Sequence, residues 1–385
     1  MIMRQKIITT GTVTWISYNN LGTLLQAYAL QKIVNSLGYR NEIVSDEKIL
    51  AQQNHTSIVS RISSNWRRLF SFTFYRYYWG RRQSNLLFSK FRSDYLKINN
   101  SWTSEDELQK KYDIFICGSD QIWSSVLPLN LFYYLGFTTK PKVAYAPSIG
   151  ATFYPESRKK IVQPYLDDFS SLSIREEIGK KLISSFINKK ISVVLDPTLL
   201  LDQLEWKLLA SNNFTPKKRV LCYFLTFNKK YIESVSVFAK QKKLPLYIVI
   251  TDQRFIKYAD FSLYIGPAEF ISEISSASYI FTDSFHGTIF SILFNKRFLT
   301  FERFGKGTPN NQNSRIHNLL NKLELTHCLI KFEDFDENNL SFPNVNYEYV
   351  SKKLNNYRTY SLDYLKNALE NAGKSIQCKE NPNVS

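Results

Sequence analysis

Tyr279-Ile280-Phe281-Thr282-Asp283-Ser284-Phe285-His286-Gly287-Thr288-Ile289-Phe290-Ser291-Ile292 decides the fold, because hydrogen-bonding residues and a glycine interrupt two apolar runs at a single point. The stretch reads as a strand, a tight turn and the start of a helix. A histidine where a strand's carboxyl end meets a helix N-terminus can move protons beside backbone N–H groups that attract an anion. The chain holds only 4 histidines, so the placement of His286 is informative. The alternative is a histidine that merely satisfies its turn.

The same grammar recurs outward from this point. Residues 5 to 14 form a β-like run, Ser17 to Gly22 a loop and Thr23 to Leu37 a helix, which Gly38 ends before a strand at Asn41 to Ser45. Asp113 to Cys117, Val143 to Ala146, Ser171 to Ile174 and Ile191 to Leu195 are short apolar strands, each followed by small polar or charged residues. The second half repeats this with strands at Arg219 to Thr226, Leu246 to Ile250, Tyr279 to Phe281 and Phe298 to Phe301, and helices at Lys229 to Lys242 and Pro267 to Ser276. Such a chain is expected to be α/β, with parallel, doubly wound sheets whose ligands sit outside the strands' carboxyl ends. The expected division is an N-terminal Rossmann-like domain over 1–201, a C-terminal Rossmann-like domain over 215–345, and a terminal helix and tail over 346–385.

At 385 residues and 44% hydrophobic content, the chain can bury two full cores. Met1 to Thr10 reads as a first strand rather than a leader, and no apolar run reaches the ~18 residues of a spanning helix, so a cytoplasmic protein is expected. Cys117, Cys222, Cys328 and Cys378 are scattered without metal-ligand spacing, so neither disulfides nor a metal are expected. The net charge of +17 is uneven: Arg61 to Arg92 holds seven arginines, Lys90 and no acid, interleaved with aromatic rings. Within this insertion Trp66, Arg67, Arg68, Trp79, Arg81 and Arg82 suit an anionic membrane surface, which would make the protein peripheral at the inner face of the cell membrane. The bland alternative is a helix whose rings pack inward and whose arginines are solvated. Nucleic acid is not expected as a partner.

Six landmarks, in order, carry a family resemblance. They are Asn19 to Leu30, Gly118-Ser119-Asp120-Gln121-Ile122-Trp123, Tyr145-Ala146-Pro147-Ser148-Ile149-Gly150, Ser173-Ile174-Arg175-Glu176-Glu177, Val194 to Leu200, and Thr282-Asp283-Ser284-Phe285-His286-Gly287-Thr288. Together they resemble the polysaccharide pyruvyl transferases of bacterial capsule and exopolysaccharide loci. The resemblance implies a glycosyltransferase-B-like pair of Rossmann-like domains facing a cleft, and phosphoenolpyruvate as donor of a pyruvate ketal to a sugar diol. The expected acceptor is a sugar or an undecaprenyl-diphosphate-linked glycan. Phosphoenolpyruvate is a substrate here, and no cofactor is expected.

Chemistry and resemblance together nominate site residues. His286 suits acid and base work, because histidine side chains in general have a reference pKa of ~6.5, near neutral pH. Asp283 either orients it or caps a helix, and Asp120 either accepts a proton from the attacking hydroxyl or shapes a turn. Arg175, directly after a strand, is the first candidate for a donor clamp, joined by Ser284, Gly287, Thr288 and Arg315. Asn19, Asn20, Gly22 and Ser119 offer neutral contacts to acceptor or phosphate. One departure is plain: better-studied members of the family carry arginine where this chain has Ser284, so Arg175, Arg315 or Lys306 must supply that charge. Competing expectations are a glycosyltransferase that uses a nucleotide sugar, and a non-catalytic, membrane-associated assembly protein.

Overall fold

The computed structural model describes residues 7–54, 72–210, 216–308, 311–336 and 340–380. The chain divides into two compact units, the first made of Met1–His55, Tyr95–Leu201 and Leu354–Ser385, the second of Thr56–Asp94 and Asp202–Lys353. Each is built on its own all-parallel sheet.

The first unit contains β1 (Thr9–Val13), β2 (Arg40–Val44), β3 (Ile98–Asn99), β4 (Ile114–Asp120), β5 (Lys142–Pro147), β6 (Leu172–Ile174) and β7 (Ile191–Val193). The sheet order is β3-β2-β1-β4-β5, and the β6-β7 pair joins its edge through a parallel bridge between Val143 and Ser171. The helix Leu21–Ser36 connects β1 to β2 and starts two residues earlier than the sequence suggests, because the Asn20 side chain caps it by accepting from the Thr23 N–H. The core is aromatic: Trp123 stacks on Tyr134 at 5.3 Å, and Phe115, Cys117 and Phe169 are fully buried with them. The last helix, Tyr347–Glu380, closes this unit from Leu354 onward. There Tyr364 donates to the Ala144 carbonyl (3.0 Å) and Ser361 Oγ accepts from the Leu195 N–H (3.0 Å).

The second unit contains β8 (Val220–Tyr223), β9 (Leu246–Val249), β10 (Phe261–Leu263), β11 (Tyr279–Thr282), β12 (Arg297–Phe301) and β13 (Leu329–Ile330), in the order β10-β9-β8-β11-β12-β13. That is the 3-2-1-4-5-6 order of a doubly wound sheet, whose ligand site lies where the order reverses, between β8 and β11. Their register sets Tyr223 beside Thr282, so the two strands exit side by side. Phe281 sits at the centre of a phenylalanine core, 5.1 Å from Phe238 and 5.2 Å from Phe342.

The basic aromatic stretch joins the second unit, although in sequence order it interrupts the first. Its helix, Phe72–Tyr95, lies against the loop that leaves β10: a Cβ on Gly80 would sit 2.4 Å from the Tyr264 ring, and Ser84 Oγ donates to the Ile265 carbonyl at 2.9 Å. Trp66, Arg67 and Arg68 lie outside the described residues. Among the described residues, no helix is long and apolar enough to cross a membrane.

Candidate functional site

In the second unit the turn after β11 is organised by its own polar side chains. Thr282 Oγ1 donates to the Tyr223 carbonyl (2.7 Å) and accepts from the Ser284 N–H (3.0 Å), locking the turn to the end of β8. Ser284 caps the helix Phe285–Leu293 by accepting from Gly287 N–H at 3.3 Å. A Cβ on Gly287 would lie 2.3 Å from Thr282 Oγ1, so only glycine lets the helix approach the strand this closely. Thr288 is likewise packed: its hydroxyl donates to the Ser284 carbonyl and meets Thr300 Oγ1, both at 2.9 Å. Gly287 and Thr288 thereby build the turn on which His286 is presented, in the first turn of the helix and 6% exposed.

The two roles that the sequence leaves open for Asp283 resolve into a third contact. The cap belongs to Ser284, while the Asp283 carboxylate accepts from the N–H groups of Leu225 (2.6 Å) and Thr226 (3.0 Å), tying the exit of β11 to that of β8 at the switch point. Burial pushes its pKa up to about 6, although Arg303 and these N–H groups pull the other way. Arg303, two residues past β12, donates from Nε to Thr226 Oγ1 (3.1 Å) and lies 3.8 Å from Asp283, with 22% of its side chain exposed. Sequence reasoning passed over this arginine; the signal was its place at a strand exit, the criterion that selected the other candidates. Arg315, buried in the first turn of the helix Ser314–Lys322, holds its guanidinium 5.7 Å from the Phe285 ring, beside His286 in the chain. Lys306 is exposed, and its backbone N–H donates to Glu333 at 2.5 Å. This ledge therefore combines His286 with two arginines.

The strand ends of the first unit carry the opposite balance. Asp120, the last residue of β4, holds a left-handed φ of 69°, which few residues besides glycine, asparagine and aspartate adopt. Thr23 Oγ1 donates to Asp120 Oδ2 at 2.5 Å, and the Tyr18 hydroxyl lies 3.0 Å from Thr23. Asn20 and Gly22 thus flank Asp120 through the helix that Asn20 caps; Asn19, half-exposed, precedes them. Arg175, 4% exposed, lies 2.5 Å from Asp196, 3.5 Å from Glu176 and 4.0 Å from Asp120. Burial alone would lower its pKa, but these three carboxylates raise it above the ordinary arginine value and hold it charged. Ser119 Oγ reaches Asp196 at 3.4 Å, and Ser148 bonds Glu176. One guanidinium among three acids is a structural counter-ion first, and the net negative setting disfavours an anionic donor.

Among the described residues, no group of three or more His, Cys, Asp or Glu side chains could hold a metal ion. Cys117, Cys222 and Cys328 are buried free thiols.

The profile of the polysaccharide pyruvyl transferase family matches residues 20–303. The chain belongs to that family. Membership makes it a transferase of polysaccharide modification, and the matched span runs from Asn20 to Arg303, leaving Arg315 beyond it. No curated protein matches the sequence. Among solved structures, the chain is similar to the UDP-GlcNAc 2-epimerase of Methanocaldococcus jannaschii, at 12% identity and a TM-score of 0.42 over 90% of this chain and 98% of that one. A putative UDP-N-acetylglucosamine 2-epimerase from Listeria monocytogenes is similar at 10% identity and a TM-score of 0.47, over 98% and 96%. The E. coli heptosyltransferase WaaC is similar at 12% identity and a TM-score of 0.37, over 79% and 90%. Likeness at this level says nothing about substrate.

Proposed function

We propose that the protein transfers the pyruvyl group of phosphoenolpyruvate to two hydroxyls of a sugar, forming a ketal and releasing phosphate. The acceptor is a glycan intermediate carried on a lipid diphosphate. The observation that supports this most is the ledge of the second unit, where His286 follows β11, Arg303 follows β12 and the Arg315 guanidinium lies 5.7 Å from the Phe285 ring. Phosphoenolpyruvate needs cations for its carboxylate and phosphate, and Arg303 and Arg315 supply them where the chain has Ser284 in place of the family's arginine.

The chemistry follows from the donor. His286 delivers a proton to the methylene carbon, which leaves the neighbouring carbon electron-poor. A sugar hydroxyl adds there and loses its proton; the bond to the phosphate oxygen breaks, and the second hydroxyl closes the ketal. One hydroxyl proton restores His286, and the other leaves with phosphate. Asp120, held by Thr23 and 4.0 Å from Arg175, is the base suited to the acceptor hydroxyl whose proton then leaves with phosphate.

The test incubates the protein with phosphoenolpyruvate and the glycan intermediate of its own locus. Phosphate should appear together with an acceptor whose mass has grown by a pyruvate ketal. Turnover of a nucleotide sugar with phosphoenolpyruvate inert would replace this reading with a glycosyltransferase. Absence of binding to either donor would leave a non-catalytic assembly protein.

A further inference from the structure

The helix Phe72–Tyr95 has two opposed faces. At about 100° per residue, Tyr77, Gly80, Ser84, Leu87, Phe88 and Phe91 fall on one side, and that side is turned inward. Tyr77 packs against the core of the second unit, Gly80 receives the Tyr264 ring, Ser84 bonds the Ile265 carbonyl, and Phe88 and Phe91 are buried. This half of the segment satisfies the bland reading of its rings. The other half does not.

Tyr75, Tyr78, Trp79, Arg82 and Leu86 fall within an arc of about 100° on the opposite side. They are exposed: Tyr75 54%, Tyr78 55%, Trp79 57% and Leu86 66%. The Arg82 guanidinium lies over the Trp79 ring at 5.4 Å, and Tyr78 meets Trp79 edge-on at 6.1 Å. Arg76 and Lys90 border this stripe on one side and Arg81 and Arg92 on the other, with no acid between Phe72 and Ser93. Leaving three aromatic rings and a leucine in water is costly, at about 25 cal/mol per Å² of apolar surface. A partner that covers them must also accept a rim of cations.

We infer that this outward face docks the protein on an anionic lipid surface, with the rings at the headgroup boundary and the arginines on lipid phosphates. Charge selects this occupant over others. A second copy of the same face would press cations against cations. Single-stranded nucleic acid is held in grooves that track its backbone, and the convex side of one helix offers none. Because the helix is footed on the second unit by Gly80 and Ser84, the face is carried in a fixed orientation. The inference stands apart from the proposed reaction, since it needs neither donor nor acceptor.

The experiment sediments the purified full-length protein with vesicles of phosphatidylcholine alone, or of phosphatidylcholine mixed with phosphatidylglycerol. Binding to the anionic vesicles is expected, weakening with salt and falling about tenfold or more on neutral ones. Replacing Tyr75, Tyr78, Trp79 and Leu86 together by serine should lower binding at least about tenfold with an unchanged melting temperature, since all four are exposed. Arg76→Gln, Arg82→Gln and Lys90→Gln together should cost roughly 100-fold on anionic vesicles, at about a factor of five per charge. A control variant, Leu204→Ser with Leu208→Ser, removes exposed leucines elsewhere on the same unit (69% and 84%) and should bind as the parent does. Equal affinity for both vesicle types, full binding by the serine variant, or equal loss in the control overturns the inference. So does a vesicle-indifferent protein whose solution mass halves in the serine variant, which would make the face an interface between copies. Preferential binding of single-stranded RNA overturns it as well.

Discussion

The two strand-end ledges share one topology and carry opposite chemistry. In the first unit Arg175 stands among Asp196, Glu176 and Asp120; in the second, the carboxylate of Asp283 faces Arg303, and the Arg315 guanidinium lies over the ring of Phe285, next to His286 in the chain. Both sheets wind outward from a central strand pair, β1 with β4 and β8 with β11, so both open a crevice at the same place. The difference shows that a doubly wound sheet fixes where a ligand can lie and leaves open which charge meets it. In the proposed reaction the acidic ledge takes the hydroxyl that must lose a proton, and the basic one the anionic donor.

Four experiments can break this division of labour or sharpen it. The largest effect is expected at His286. His286→Ala should lower turnover by ~10²- to 10⁴-fold with donor affinity held within a few-fold, as measured by phosphate release and by calorimetric titration of phosphoenolpyruvate. Near-normal turnover would remove proton transfer from the basic ledge.

The next concerns Arg175, where stability rather than affinity should respond. Arg175→Met leaves three buried carboxylates without their cation, and such a loss costs ~3–5 kcal/mol, visible as a lower urea midpoint. Intact stability with collapsed donor affinity would return the donor clamp to the first unit and invert the comparison.

The third uses pH. Asp283 has a folded pKa raised to about 6 from 3.8, so the folded state holds its proton more tightly than the unfolded one. Its contribution to stability is therefore fully present below pH 3.8 and is lost as pH rises through about 6. The change is of order 3 kcal/mol. Asp283→Asn should flatten this part of the stability–pH curve relative to the parent. Parallel curves would mean that Asp283 ionises in the usual carboxylate range.

The smallest effect is expected at Arg303, which keeps a fifth of its side chain in solvent. Arg303→Gln should weaken phosphoenolpyruvate binding by about tenfold, the low end for a lost charge-assisted hydrogen bond, with little change in turnover at saturating donor. A fall in turnover alone would place Arg303 in the chemistry rather than in donor binding.

Much of this was legible in the sequence for one reason: the central strands of a parallel sheet are short apolar runs, and the residues at their exits are polar. That rule located Asp120, Arg175, Asp283 and His286. It missed β3, β10 and β13, edge strands of two or three residues that are too short to show a period. It also missed Arg303, because Phe301-Glu302-Arg303 shows neither a glycine nor a turn to mark the exit. The surroundings of Arg175 were invisible for a different reason: two of its three carboxylates, Asp120 and Asp196, lie far away in the chain and meet it only through the pairing of β4 with β5, the bridge to β6, and the pairing of β6 with β7. Sequence proximity offered only Glu176 and Glu177, of which the structure uses Glu176. The footing of the basic aromatic helix on Tyr264 and Ile265 is equally long-range, so its attachment to the second unit could not be read from order alone.

The segment structure of the two units has a consequence for how the chain is made. The first unit starts ahead of the second yet stays incomplete until the stretch from Leu354 onward arrives, whereas the segments of the second all precede Leu354. On a ribosome, the unit that starts second can therefore finish first. Until then the Leu195 N–H waits for Ser361, and the Ala144 carbonyl, which also accepts from Ser173 Oγ, lacks its bond from Tyr364. The nascent first unit lacks these two bonds until the part of the helix Tyr347–Glu380 beyond Lys353, which follows the whole of the second unit, supplies them.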